Sequence, residues 1–78
     1  MAEVRILVVE DEGIIALQIQ TMLRSMGYHL CGRASSGQEA IDKADETRPD
    51  LVLMDITLRD SIDGIEAARH IVTCFDIP

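Results

Sequence analysis

Three acids, Glu10, Asp11 and Glu12, stand in a row directly after the apolar run Ile6-Leu7-Val8-Val9. A further acid, Asp55, stands directly after a second apolar run, Leu51-Val52-Leu53-Met54. Crowded carboxylates repel, and each makes its neighbours harder to ionise. A bound cation cancels that repulsion. Few hard oxygen ligands with room left for water suit Mg²⁺ best. Acids holding a metal beside a phosphate make a phosphoryl-transfer arrangement. The chain has neither a Walker loop nor a G-x-G-x-x-G, so it carries no nucleotide cradle. A carboxylate can itself be the nucleophile and become an aspartyl phosphate. Asp55 is the candidate for that role, because four apolar residues precede it, and Glu10 and Asp11 then hold the metal. The plainer account is that acids favour a helix N-terminus. It covers Asp11 and Glu12 but leaves Asp55 unexplained.

These acids can meet only if the elements before them lie side by side. Val4 to Val9, apolar except for Arg5, reads as a strand buried on both faces. Residues 13–26 change to helical spacing, with Ile15, Ile19, Met22, Leu23 and Met26 as the stripe and Gly27 as the stop. Residues 28–34 are a second strand of mixed polarity with a glycine, as at a sheet edge. Ser36 followed by Glu39 is a capping-box pattern for a helix over 37–47. Pro49 ends that helix. Residues 51–54 form the third strand. Asp63 and Glu66 open a third helix over 64–75, with Ile65, Ala68, Ile71, Val72 and Phe75 as its stripe.

The order βαβαβα implies an α/β fold with a parallel sheet. The two apolar strands should be central and the mixed one an edge, giving the order 2-1-3. The chain then reverses across the sheet between strands 1 and 3, and a crevice opens at their carboxyl ends. That places Asp55 beside Glu10 and Asp11.

Composition excludes several functions. The chain has 78 residues, 14 acids and seven Lys or Arg, with a formal net charge of -7. The cations are scattered, so direct binding to nucleic acid or an anionic membrane is not expected. Lys43 falls on the second helix, too far from the acids to serve them. Cys31 and Cys74 form no C-x-x-C and read as buried or half-buried thiols in a reduced compartment. His29 and His70 are each alone and read as structural or surface residues. Neither a signal peptide nor a membrane span is present, so a cytoplasmic location is expected.

The segments ILVVEDE, ASSGQEAI, LVLMDITL and DGIEAAR together resemble the response-regulator receiver domain of two-component signalling, in its chemotaxis-regulator-like form. The resemblance spans essentially the whole chain. It implies a flavodoxin-like three-layer fold and a phosphoacceptor at Asp55. Asp11 would contact Mg²⁺ (or Mn²⁺) directly, Glu10 through water, and Thr57 through its backbone carbonyl. It also implies a phosphohistidine donor on a histidine kinase or phosphotransfer domain, and a switch rather than an enzyme.

Receiver domains of this kind have five β/α units, with a switch Ser/Thr after the fourth strand and a phosphate-binding Lys after the fifth. Residues 1–78 hold three units, so they are expected to be a single partial receiver domain with impaired phosphorylation. Arg59 is near Asp55 in sequence, but nothing else supports it as a replacement for the Lys. The loop LRDSIDG also lacks the proline that often follows its leucine. A third strand left at the edge predicts bare N–H and C=O groups and self-association. Two other functions remain open. One is a protein-interaction module that takes no phosphate. The other is a fragment of a Mg²⁺-dependent phosphoryl-transfer enzyme, against which Asp55-Ile56-Thr57 lacks a second acid.

Overall fold

The computed structural model describes residues 4–54 and 64–78. Three strands, β1 (Arg5–Val9), β2 (His29–Ala34) and β3 (Leu51–Met54), alternate with three helices, α1 (Gly13–Ser25), α2 (Gly37–Thr47) and α3 (Gly64–Phe75). The sheet is parallel in the order β2-β1-β3. The fold is thus the flavodoxin-like α/β arrangement, with β1 in the centre.

Successive strand residues point to opposite faces, and β1 shows the result. Ile6 and Val8 join Leu23 of α1 on one side, with Ile19, Tyr28, Leu30 and Leu51 packed around them. Leu7 and Val9 face the other way, into a core with Ala34, Ala40, Ala44, Ile71 and Ile77. Helices on both faces are why β1 can be apolar throughout. Ala40 and Ala44 are both fully buried. Their small side chains let α2 lie close to the sheet.

Local chemistry sets the helix ends. After α1, the amide of Gly27 donates to the Arg24 carbonyl at 3.0 Å and that of Tyr28 to the Leu23 carbonyl at 3.1 Å. This is a Schellman motif, and Gly27 supplies the φ of +91° that it needs. At the start of α2, the Glu39 amide donates to Ser36 Oγ at 3.1 Å. The Glu39 carboxylate accepts from the amide of Ser35, not of Ser36, at 2.8 Å, so the box closes one residue early. Ser36→Ala should therefore cost about 1 kcal/mol, seen as a lower midpoint in urea unfolding with an unchanged slope. Arg48 ends α2 in the left-handed region, at φ 47°. Its guanidinium meets the Asp45 carboxylate at 2.8 Å and lies 4.7 Å from the centre of the Phe75 ring, tying the end of α2 to the end of α3.

Four expectations need correction. The stripe of α1 is not buried as a whole: Ile15, Met22 and Met26 are exposed, and the buried residues are Ala16 and Leu23. Ile15 and Met22 line a cleft between α1 and the β1–β3 pair, and no element among the described residues covers them. For the same reason β3 is not closed on both faces, and Leu53 is 37% exposed. The outer edge of β3 is not wholly bare, because the Val52 amide donates to the Pro78 carbonyl at 2.9 Å. Ile77, beside it, is buried in the core. Finally, Cys74 is exposed and only Cys31 is half-buried.

Candidate functional site

β1 ends at Val9, and Val9 is paired with Ala34 of β2 and Met54 of β3. The next residue, Glu10, continues the ladder, its amide donating to the Ala34 carbonyl at 3.0 Å. Glu10 is 9% exposed, the one buried polar or charged residue among those described. Its Oε1 accepts the amide of Glu12 at 3.2 Å. That bond satisfies a donor at the mouth of α1 and turns the chain from strand to helix. Glu12 occupies the N-cap position but makes no side-chain capping bond. The acid that closes the helix start is therefore Glu10.

Asp11 lies between, half-buried, at the carboxyl end of the central strand. Glu10, Asp11 and Glu12 line one end of a cleft of about 680 Å³ between α1 and the β1–β3 pair. Val9, Ile15, Ile19, Met22, Leu23, Leu53 and Met54 line the rest of it. Among the described residues, no group of three or more His, Cys, Asp or Glu side chains is placed to hold a metal ion. Asp55, Thr57, Arg59 and Asp63 lie outside the described residues. Lys43 sits on α2 against the middle of β2, where its Cδ would be 3.6 Å from a Cβ added to Gly32. His29 and His70 are exposed, and His70 packs edge-on to Phe75 at 5.4 Å.

One residue escaped the sequence reading. Arg33, at the end of β2, donates from Nη2 to the main-chain carbonyl of Glu10 at 3.2 Å. Its signal was its position: it immediately precedes the last residue of the strand beside β1, within reach of the acidic turn.

Sheet order, crevice and acidic turn define a class, and the comparisons agree with it. The family described as response regulator receiver domain matches residues 6–76. The chain belongs to that family, whose members are modules of two-component signalling. It is 44% identical over 69 residues to the transcriptional regulatory protein PdtaR of Mycobacterium tuberculosis, covering 88% of this chain and 33% of that protein. It is 35% identical over 68 residues to the chemotaxis protein CheY of Thermotoga maritima, covering 87% of this chain and 56% of that one. The solution structure of the PhyR receiver domain of Erythrobacter litoralis superposes with a TM-score of 0.89 at 36% identity, covering all of this chain and 60% of that one. The chain thus spans between a third and three-fifths of these relatives. No helix among the described residues is long and apolar enough to cross a membrane.

Proposed function

We propose that Asp55 is the phosphoacceptor of this receiver domain. Phosphate would come from the phosphohistidine of a histidine kinase or phosphotransfer domain. Glu10, Asp11, Asp55 and the Thr57 main-chain carbonyl would hold Mg²⁺ (or Mn²⁺). The observation that carries this reading is the pairing of Val9 with Met54. Glu10 and Asp55 are the successors of one paired couple on parallel strands about 4.8 Å apart. The donors are hard oxygens, which fit Mg²⁺. When bound, the cation supplies positive charge against the carboxylates and the phosphoryl oxygens.

The chain's own groups supply the rest. A carboxylate oxygen of Asp55 forms the new bond to phosphorus as the P–N bond to histidine breaks. The imidazole leaves with the electron pair. Glu10 keeps the turn rigid through the Glu12 amide, and Asp11 offers its carboxylate from that rigid turn. The new acyl phosphate adds charge that biases a two-state surface, so the protein acts as a switch and releases no product as an enzyme would. Incubation with acetyl phosphate and Mg²⁺, then peptide mapping by mass spectrometry, should show one metal-dependent phosphate adduct on the peptide carrying Asp55. An adduct elsewhere rules the assignment out, and no adduct favours a protein-interaction module that takes no phosphate.

A further inference from the structure

We propose that Arg33 is a positioning residue for the acidic turn, holding the peptide that joins Glu10 to Asp11 and so aiming the Asp11 carboxylate. The inference rests on the reading of Glu10 and Asp11 as Mg²⁺ ligands and adds the residue that sets their geometry.

Two successive residues of β2 grip Glu10 from both sides of its main chain. The Glu10 amide donates to the Ala34 carbonyl at 3.0 Å. The Glu10 carbonyl accepts from Arg33 Nη2 at 3.2 Å. That carbonyl belongs to the peptide whose nitrogen is Asp11's. A peptide is planar through to the next Cα, so holding its oxygen restrains the Cα of Asp11. The Glu12 amide is held in turn by Glu10 Oε1 at 3.2 Å. Asp11 therefore lies between two anchored peptides, and the direction of its Cα–Cβ bond is restrained before any ligand arrives.

The neighbouring surface makes room for this contact. Gly13, Ala16, Leu17 and Gln20 of α1 line a hollow with Arg33. Gly13 and Ala16 are small, and a Cβ added at Gly13 would meet no atom within 4 Å.

Clamp and charge act on metal binding with opposite signs. A cation near a cation site weakens binding by repulsion, whereas a fixed ligand strengthens it. Arg33→Met removes both, so the direction of change shows which one dominates. Mg²⁺ affinity is read by following the Asp11 and Glu12 amides in an NMR titration. Arg33→Met is expected to bind Mg²⁺ about tenfold more weakly, as when an outer partner of a metal ligand is lost. Arg33→Lys keeps a charged donor and should recover to within roughly threefold of the parent. Arg33→Leu, which likewise removes donor and charge, carries the same expected sign and replaces the Met variant if that one misfolds. Unchanged or tighter Mg²⁺ binding in Arg33→Met, or no recovery in Arg33→Lys, overturns the proposal.

A parent protein that binds no Mg²⁺ sinks the metal-site reading itself. Arg33 is then judged by amide hydrogen exchange in the metal-free protein. Exchange at Glu12 should be roughly tenfold faster in Arg33→Met, a local opening that leaves Leu7 and Val9 unaffected. Equal rates at Glu12 overturn the positioning role on their own.

Discussion

An Asp55→Asn protein is expected to take up no phosphate from acetyl phosphate, and an Asp11→Asn protein to bind Mg²⁺ about 100-fold more weakly. The first effect is complete because the amide has no anionic oxygen to attack phosphorus. The second is graded. Asparagine keeps the shape of aspartate and one oxygen, so only the charge is lost. Unit charges about 4 Å apart interact by about 1 kcal/mol in water and about 4 kcal/mol near a protein surface, and a divalent ion doubles either figure. Asp11 is half-buried, so a value towards the lower end applies, about 2.7 kcal/mol, or 100-fold. Glu10→Gln is a useful contrast. Its amide oxygen can still accept the Glu12 amide that Glu10 Oε1 now accepts at 3.2 Å. The turn survives, and a ligand acting through water loses less than a direct one. Magnesium titrations should therefore rank Glu10→Gln between the parent and Asp11→Asn. If Asp11→Asn binds as the parent does, Asp11 is not a direct ligand.

The parts of this protein that were legible from its sequence are those decided by a few neighbouring residues. Gly27 stops α1 because only a left-handed residue lets the amides of Gly27 and Tyr28 turn back on the helix. Ser36 and Glu39 start α2 through bonds that span four residues at most. The sheet order followed from polarity, since β1 has to be apolar on both faces to lie between two helical layers. What depends on distant chain was harder to read. Helical spacing shows that Ile15, Met22 and Met26 share a side of α1 with Leu23, but not whether anything covers them, and they are exposed. No local pattern pairs Pro78 with Val52. The acidic turn is an intermediate case. The run Glu10-Asp11-Glu12 marks the place, but equal charges do not reveal that Glu10 folds back on the Glu12 amide or that Arg33 steadies its carbonyl.

Leu7→Ala should be the most damaging single truncation of the core, at about 3–5 kcal/mol. Leu7 is fully buried, and its neighbours explain why the loss falls in the upper part of the usual range. Three members of its cluster, Ala34, Ala40 and Ala44, have no side chain long enough to swing into a gap. Ile71 is tied to α3, and Val9 is held on both sides in the sheet. The hole must stay open, and open volume is what raises the cost above simple transfer of the lost methyl groups. For a domain of 60–100 residues, each kcal/mol lowers Tm by about 4–8 °C. Circular dichroism should therefore show a fall of at least about 12 °C. Ile14→Ala is the matched control. It removes a similar side chain from a residue that is 77% exposed, so its effect should stay within about 0.5 kcal/mol. A Leu7→Ala protein that melts within a few degrees of the parent would mean that α2 can settle onto the sheet. The alanines would then be adjustable spacers rather than fixed ones, and the close seating of α2 would not be what holds β1, and with it Glu10 and Asp11, in place.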